Sequence, residues 1–377
     1  MIAVALAFWI SVALILYTHL GYPLVLRALV ALRRTPTLRP GTWEEPPRVS
    51  LIVAAFDEEE VIAAKIANAF ALDYPRQGLE LIVASDGSAD ATVERARAAG
   101  ADLVLDLPRG GKVAAQNAAA ERASGEILAF SDANSAWAPD ALRHLVEPFA
   151  DPVVAYVCGQ VRFLDPGGGN LEGSYWRYEM TVRELESGLA GVTAGNGAIY
   201  AVRRDAYIPL SPAGSHDLSL PFLLAKRGKR SLYVPWAAAE EKMVPTLEGE
   251  LARKRRMMVG IWDIVVGEGM LRPGGYPPLY AFEIASHRLL RYATPFLHVA
   301  AFAANVALLR ESWIYIATMV VQLAVLNAAV LGRWLSLAPF RIARYYMLTT
   351  ASIAFGLWDR MRSGAPVGAW DKAEGTR

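Results

Sequence analysis

The sequence predicts an α/β catalytic domain flanked by transmembrane helices, and three observations carry this prediction. Apolar residues make up 54% of the chain and concentrate at its two ends. In the middle, short β-branched runs alternate with helical stretches, which is typical of a parallel sheet covered by helices on both faces. Acidic side chains follow several of these runs. In such a sheet the ligand crevice lies at the carboxyl ends of the strands.

Residues 1–34 are expected to form an N-terminal transmembrane anchor. The run 2–17 carries no charge, and roughly 20 apolar residues suffice to cross a bilayer as a helix. The Gly-Tyr-Pro segment at 21–23 is expected to kink or end that helix. Three arginines follow it: Arg27, Arg33 and Arg34. The positive-inside rule then places the next segment in the cytoplasm. A cleaved signal peptide is the alternative, but no small-residue cleavage site follows the run.

Residues 48–260 are expected to form the catalytic domain, after a linker over 35–47 that is rich in Pro, Thr and Gly. Strands are predicted at 49–55, 80–85, 103–105 and 126–131. Helices are predicted at 59–70 and 112–123. The net charge of +1 gives no reason to expect a nucleic-acid partner. Cys158 is the only cysteine, so an intrachain disulfide is excluded, which fits a reducing cytosol.

The apolar segments return after the catalytic domain. An interfacial segment, C-terminal membrane helices and a polar tail are expected in turn, at 261–286, 287–359 and 360–377. The longest apolar runs are at 292–309 and 313–331, and a shorter one spans 345–358. Three crossings would put the basic tail outside the cell, against the charge rule. The third run is therefore expected to lie in the interface or to re-enter the membrane.

Acidic residues follow three of the four predicted strands: Asp57 to Glu59, Asp86 and Asp132. A single carboxylate at a helix start is commonly an N-cap, and Asp90 is expected to cap the helix after Asp86. Three such positions at strand ends suggest a shared pocket for a cation and a polar ligand. Asp132 and Asn134 share one face of an extended segment. Such oxygen ligands, together with substrate phosphates, suit Mg²⁺.

Seven motifs between residues 49 and 260 occur in a characteristic order: VSLIVAAFDEEE, LIVASDGSAD, GGKVAAQNAAA, FSDAN, GNGAIYAVRR, SHDLSLP and ARKRRM. In order and spacing they resemble family 2 glycosyltransferases. The resemblance implies a GT-A nucleotide-diphospho-sugar transferase domain and assigns donor binding to six residues: Ala55, Glu58, Asp86, Lys112, Arg253 and Arg256. Glu58 and Asp86 would hold the nucleobase and ribose end of the donor. Lys112 would lie near the diphosphate, the alternative being a solvated lysine at a helix start.

Arg253 and Arg256 resemble the Q-x-x-R-W element of synthase-like members, with Arg253 in place of the Gln and Met257 in place of the Trp. Spaced three apart on a helix, the two arginines would share a face and clamp a diphosphate. Binding of anionic lipid head groups is the alternative.

Asp132 matches the first carboxylate of the family's D-x-D metal motif, and Asn134 stands at the second. The resemblance therefore implies Mg²⁺ or Mn²⁺, held less tightly than by two carboxylates or partly through water. Asp217 matches the general base, which the reaction needs because a hydroxyl is a poor nucleophile until its proton is removed. Asn196 and Gly197 match a loop near the acceptor, a simple turn being the alternative.

The sequence thus predicts an inverting glycosyltransferase in the cell inner (cytoplasmic) membrane, crossing it more than once with its catalytic domain in the cytoplasm. It would move sugar from a nucleotide diphosphate to a glycan or lipid-linked hydroxyl acceptor, in exopolysaccharide or cell-envelope synthesis. One alternative is a polyprenyl-phosphate sugar synthase, whose phosphate acceptor needs no general base. Another is a non-catalytic membrane subunit that kept the fold, against which the retained Asp86, Asp132 and Asp217 argue.

Overall fold

The structure is a computed structural model of the 377-residue chain. It describes residues 1–33, 43, 45–164, 171–242, 255, 257–335 and 337–363. The side chains of 164, 171–175 and 363 are not described. Most of the expected linker and the polar tail from 364 onward lie outside the described residues. Arg34, Arg253 and Arg256 also lie outside them.

An eight-stranded mixed sheet forms the centre of the catalytic domain. Its strands are β1 (Val49–Ala55), β2 (Leu79–Asp86), β3 (Leu103–Leu107), β4 (Ile127–Asp132), β5 (Ala136–Trp137), β6 (Val154–Leu164), β7 (Ile199–Arg203) and β8 (Arg230–Lys242). Their order across the sheet is β3-β2-β1-β4-β7-β6-β8-β5.

The four predicted strands are confirmed, and they pair in parallel as expected. Ala54 pairs with Asp132 across β1 and β4, and Ala55 pairs with Ser85 across β1 and β2. The three strands therefore end at one edge, as the crevice requires. The other half of the sheet departs from the predicted parallel arrangement. There β7 runs antiparallel to both β4 and β6. It starts at the crevice edge of the sheet, where β4 ends, and therefore runs in the opposite direction.

Helices cover both faces of the sheet, each burying one apolar stripe. One face carries α3 (Ile62–Phe70), α4 (Thr92–Ala98) and α6 (Ala141–Val146), and the other carries α5 (Lys112–Arg122) and α8 (His216–Lys226). The prediction that Asp90 caps α4 is wrong, because the N-cap is Ala91. The Asp90 carboxylate instead accepts from the Thr92 amide at 3.0 Å and closes the turn that leads into the helix. A long helix, α7 (Leu171–Leu189), leads from β6 toward β7.

The N-terminal helix continues through the Gly-Tyr-Pro segment instead of ending there. It comprises α1 (Ile2–Leu16), a π-helical turn (Tyr17–Gly21) and α2 (Tyr22–Arg33). Pro23 has no amide hydrogen to donate to the carbonyl four residues earlier, which belongs to His19. The Tyr178 hydroxyl donates to that His19 carbonyl at 3.0 Å instead. A hydrogen bond from the catalytic domain thus replaces the one that the proline removes.

Among the described residues, five helices follow β8: α9 (Met257–Gly267), α10 (Pro278–Glu283), α11 (Leu290–Leu308), α12 (Trp313–Leu331) and α13 (Ala338–Ser363). A π-helical turn (Ile284–Leu289) joins α10 to α11. Two helices in the described part of the chain are long and apolar enough to cross a membrane, Ile2–Arg33 and Trp313–Leu331. The third apolar run, expected to be short, belongs to the 26-residue α13.

The end of α13 packs against α9. The Arg360 guanidinium pairs with Asp263 at 2.5 Å, and Arg255 binds both carboxylate oxygens of Asp359 at 2.5 and 2.8 Å. The Trp262 indole donates to the Ile353 carbonyl at 3.1 Å. The last turns of α13 therefore lie beside the segment that directly follows the catalytic domain.

Candidate active site

Loops that follow β1 and β2 are tied together at the crevice edge. The Asp57 carboxylate accepts from the Ala89 amide at 2.7 Å. The Glu58 amide donates to the Thr92 hydroxyl at 2.7 Å, and the Glu58 side chain is buried. Ala55, the last residue of β1, is fully buried. Ala55 at the end of β1 and Glu58 in the following loop, both predicted to bind the donor, thus lie together at the crevice edge.

The Asp86 carboxylate accepts hydrogen bonds from the loop that precedes α5. Its oxygens accept from the Gly110 amide at 2.6 Å and the Gly111 amide at 2.9 Å, and the Arg109 guanidinium pairs with it at 2.7 Å. The Arg109 guanidinium also lies 3.3 Å from the centre of the Phe56 ring. Asp86 is only 1% exposed, so in this structure it orders the 109–111 loop at the crevice.

Lys112, the first residue of α5, reaches across the crevice to Asp132 at the end of β4 and forms an ion pair with it. Both side chains are 24% exposed. Burial alone would lower the pKa of Lys112, but the Asp132 carboxylate raises it, with Asp217 and Glu241 acting in the same direction. Lys112 therefore stays charged over the accessible pH range.

A second lysine lies beneath Asp132. The Lys65 ammonium donates to the Ser135 carbonyl at 2.7 Å and lies 5.1 Å from the centre of the Trp137 ring. Burial lowers its pKa to about 7, although Asp132 and Glu241 act in the opposite direction. Lys65 holds the backbone just after Asn134, so it fixes the segment that carries both predicted metal ligands.

Asp217 lies in the first turn of α8, and its carboxylate accepts a hydrogen bond from the Ser215 hydroxyl. The neighbouring His216 is buried, and both of its ring nitrogens are engaged by the Tyr200 hydroxyl at 2.7 Å and the Tyr207 hydroxyl at 3.2 Å. Burial, assisted by Lys112, lowers the pKa of His216 to about 3. His216 is therefore neutral and structural, whereas the Asp217 carboxylate lines a small pocket with Lys112.

Residues 191–197 lie between α7 and β7 and are here called the acceptor loop after the role predicted for Asn196 and Gly197. The Asn196 side chain stabilises the loop itself. Its oxygen accepts from the Ile199 amide at 3.1 Å, and its nitrogen donates to the Gly159 carbonyl. Gly197 lines the same pocket as Asp217. A Cβ at Gly197 would lie 3.4 Å from the Lys112 ammonium. That distance is an ordinary contact, so Lys112 lies beside the loop without a requirement for glycine at this position.

The structure thus brings together most of the predicted site residues along one crevice. Asp132, Lys112, Gly197 and Asp217 meet at its centre, with Asp86 at one end. Arg253 and Arg256 fall outside the described residues, so their predicted role stays a prediction.

Sequence reasoning missed three residues at this crevice: Phe56, Lys65 and Arg109. Arg109 directly precedes the Gly-Gly-Lys motif, and that position was the available signal. For Phe56 and Lys65 the sequence offers no comparable signal, because their contacts are with residues distant in the sequence and form only in the folded chain.

Comparison with known proteins agrees with this geometry. The sequence profile of glycosyl transferase family 2 matches residues 50–208. Those residues are therefore similar in sequence to a family 2 glycosyltransferase domain. They include β1 to β4 with Asp86, Lys112 and Asp132, and they extend to the acceptor loop and β7.

Two curated relatives and one solved structure are similar to the chain over longer stretches. Glycosyltransferase AglE of Haloferax volcanii is 27% identical over 46% of this chain and 58% of its own length. An N-acetylglucosaminyltransferase of Rhizobium meliloti is 27% identical over 70% of this chain and 68% of its own. The mannosyltransferase PcManGT from Pyrobaculum calidifontis, solved with GDP-Man and Mn²⁺, superposes with a TM-score of 0.71 at 24% identity. That match covers 95% of this chain and 100% of PcManGT. The expected GT-A fold is confirmed.

Proposed function

We propose that this chain is an inverting glycosyltransferase that transfers a sugar from a nucleotide diphosphate to a hydroxyl acceptor at the membrane surface. The observation that carries the proposal is the convergence of Asp217, Lys112 and Asp132 on one crevice of a family 2 domain. A carboxylate with access to a pocket stands on one side, and a cation with a second carboxylate stands on the other. Displacement at an anomeric carbon requires both groups, because a base must take the proton of the acceptor and a cation must stabilise the leaving diphosphate.

The donor would lie along the strand ends from Phe56 to Lys112. The planar Arg109 guanidinium, stacked on Phe56 and oriented by Asp86, offers a flat polar surface of the kind that nucleobases stack on. The amides of Gly110 and Gly111 lead from there to Lys112. Lys112 would hold the diphosphate as a point charge, and its pKa keeps it protonated.

Asp217 would act as the general base. It takes the proton from the acceptor hydroxyl, and the oxygen attacks the anomeric carbon from the face opposite the diphosphate. The bond from that carbon to the diphosphate oxygen breaks as the new bond forms, so the configuration inverts. Ser215 holds the carboxylate in place by its hydrogen bond. The engaged His216 takes no part in the proton transfer.

Asp132 and Asn134 fit a divalent cation such as Mg²⁺ or Mn²⁺ as partial ligands. The Asp132 carboxylate is partly exposed at the crevice and already pairs with one cation, the Lys112 ammonium. In the described part of the chain no three His, Cys, Asp or Glu side chains lie close enough to hold a metal by themselves. The donor phosphates would have to complete the coordination, as is common for Mg²⁺. Such an ion supplies charge stabilisation for the leaving diphosphate.

A multi-pass membrane location is supported by the two apolar helices and by the contacts at the end of α13. The helices flank the catalytic domain in the sequence. Arg360 pairs with Asp263, so the end of α13 would lie on the same side of the bilayer as the catalytic domain. This removes the conflict with the charge rule, because the basic residues around Arg360 would then face the cytoplasm.

The proposal is tested by incubating purified protein with a panel of nucleotide sugars and measuring release of nucleoside diphosphate. At least one donor should support turnover. The Asp217→Asn variant should then lose about 10²–10⁴-fold in rate, which is the usual contribution of a general base. Calorimetry should show unchanged affinity for the nucleoside diphosphate. Normal turnover by Asp217→Asn would instead favour a phosphate acceptor, which needs no base.

A further inference from the structure

Glu186 is a fully buried carboxylate on α7, at the place where the catalytic domain meets the membrane helices. Its Oε1 accepts from the Tyr22 hydroxyl of α2 at 2.7 Å and from the His287 ring at 2.7 Å. Its Oε2 accepts from the amide and the hydroxyl of Thr193 at 3.2 and 3.0 Å. Four hydrogen bonds from three separate segments therefore converge on one side chain.

The protonation states of these groups follow from their partners. The His287 ring is neutral, because the Arg291 guanidinium can only donate and needs an unprotonated ring nitrogen beside it. The Arg291 guanidinium lies 3.1 Å from His287 Nε2, so Nε2 is the acceptor and Nδ1 carries the proton that is donated to Glu186. Burial alone would raise the pKa of Glu186, but His287, Arg288 and Tyr22 lower it. Glu186 is therefore an anion.

A second buried carboxyl group, Glu283, faces the same cluster from α10. Burial and the Glu186 charge raise its pKa well above the ordinary value. Glu283 is therefore protonated and leaves the negative charge on Glu186. Arg288 balances that charge through Thr193, whose hydroxyl accepts from the Arg288 Nε at 2.8 Å.

Thr193 belongs to the acceptor loop, so the hydrogen bonds of Glu186 reach the candidate active site. The first half of the loop is also held from α10, where the Tyr280 hydroxyl donates to the Val192 carbonyl at 3.0 Å. Two side chains from outside the loop, Glu186 and Tyr280, therefore fix the backbone of consecutive loop residues.

The second half of the loop is tied to the segment that carries the proposed base. The Gly195 amide donates to the Asp217 backbone carbonyl at 2.7 Å. On the other side of the same residue, the Arg183 guanidinium donates to the Gly195 carbonyl at 2.8 Å. The acceptor loop thus connects Glu186 at one end to the backbone of Asp217 at the other.

We propose that Glu186 is a positioning residue for sugar transfer. Through Thr193 it fixes the acceptor loop to Tyr22 of the membrane anchor and to His287 before α11, and it thereby sets where the acceptor hydroxyl meets Asp217. This inference rests on the proposed function. It goes beyond that function because it makes the membrane helices part of the acceptor site instead of a passive anchor. The donor end of the crevice, at Asp86 and Arg109, has no contact with Glu186 and should be unaffected.

The test compares Glu186→Gln with the wild type in three measurements. These are nucleoside diphosphate affinity, slow hydrolysis of the donor without acceptor, and transfer to an alkyl glycoside that the wild type glycosylates. Either orientation of the amide puts its NH2 group against two donors, those of Thr193 or those of Tyr22 and His287. The loop or its attachment to the membrane helices should therefore shift. A displacement of about 1 Å can cost roughly 10²-fold in rate. Transfer should fall by about 10- to 100-fold, while affinity and hydrolysis should change less than about 2-fold.

Two further variants separate positioning from general stability. Trp176→Phe, also on α7, removes the hydrogen bond from the indole to the Val161 carbonyl at 3.0 Å, nearly three helical turns from Glu186. It should lower stability and leave the ratio of transfer to hydrolysis unchanged. Thr193→Val should reproduce the selective loss of transfer, and Thr193→Ser, which keeps the hydroxyl, should restore it. If Glu186→Gln does not fold, the Thr193 pair decides the matter.

Hydrogen exchange provides a readout that needs no acceptor. Amides of residues 191–197 should exchange faster in Glu186→Gln, whereas those of β1 and β4 should not change. Equal loss of donor affinity and transfer, or an unchanged loop, would overturn the positioning role. Failure of the wild type to turn over any donor would instead count against the proposed function itself.

Discussion

The Lys112 ammonium forms an ion pair with the Asp132 carboxylate across the crevice between α5 and β4. The Asp132 carboxylate, which the sequence predicts to bind a metal, is therefore already paired with a cation. A divalent ion would have to share Asp132 with Lys112 or displace the Lys112 ammonium toward the donor phosphates. Because only one charged ligand is available, the ion is expected to bind weakly before the nucleotide arrives.

The first prediction follows from this pairing. Chelation should abolish turnover, and Mg²⁺ or Mn²⁺ should restore it. Asp132→Ala should lose far more activity than Asn134→Ala, because only Asp132 carries charge. Calorimetry should detect Mn²⁺ binding with nucleoside diphosphate present and much weaker binding without it. Full turnover in excess chelator would contradict the metal assignment.

The second prediction treats Asp86 and Arg109 as one unit. Asp86→Asn keeps the shape but removes the charge that pairs with Arg109, so the 109–111 loop should loosen and nucleotide affinity should fall. Arg109→Met should weaken affinity in the same way. Since the two side chains act through one contact, the double variant should lose clearly less than the sum of the single losses in binding free energy. Titration of the nucleoside diphosphate into all four proteins measures this, and full additivity would count against it.

The 109–111 loop beside Asp86 also illustrates how much of this structure could be predicted from the sequence. β1, β2 and β4 were predictable because each is a buried, mostly apolar run, and their acidic ends identified the crevice. β3 is only partly buried, and its short apolar run was its only signal. β6 to β8 were not, because their pairing depends on where α7 and the acceptor loop direct the chain. The contact between Arg109 and Phe56 was not predictable either, because it joins two loops that come together only when the strands of the sheet pair.

The third prediction concerns the pH dependence of stability. His216 has a pKa of about 3 in the folded protein, against 6.5 for an exposed histidine, because it is buried. Below pH 6.5 the unfolded chain binds a proton that the folded protein does not bind until about pH 3. His216 therefore makes stability fall as the pH drops through that window, by up to about 1.4 kcal/mol per pH unit. Urea unfolding of wild type and His216→Gln between pH 4 and 7 should show a shallower pH slope for the variant. Equal slopes would mean that the histidine titrates normally.

The fourth prediction tests membrane orientation by cysteine labelling. Cys158 is fully buried, and burial raises its pKa to about 11, so it should resist thiol reagents on either side of a membrane. In a Cys158→Ala background, Gln77→Cys puts a thiol on the exposed turn before β2, and Glu311→Cys puts one between α11 and α12. Since the end of α13 would lie on the cytoplasmic side with Asp263, α11 would have to cross the membrane outward before α12 crosses back. An impermeant maleimide added to intact cells should therefore label Glu311→Cys. It should label Gln77→Cys only after the membrane is opened. The reverse pattern would overturn the cytoplasmic placement of the catalytic domain.

The last prediction concerns the close approach of Gly195 to Tyr156 beneath the acceptor loop. A Cβ at Gly195 would lie 2.0 Å from the Tyr156 hydroxyl oxygen, closer than real atoms come. That hydroxyl is buried and has no hydrogen-bond partner among the described residues, and such a group typically costs about 1–3 kcal/mol. Tyr156→Phe should therefore leave stability unchanged or raise it. Gly195→Ala should destabilise the protein and slow transfer, because the loop must move away from Tyr156, which disturbs the hydrogen bond from the Gly195 amide to the Asp217 carbonyl. Adding Tyr156→Phe should recover part of that loss, since the worst contact disappears while the ring carbon at 2.9 Å remains. Thermal unfolding of the two single variants and the double variant measures the coupling. A Gly195→Ala protein as stable and active as the wild type would show that the loop is not held against Tyr156.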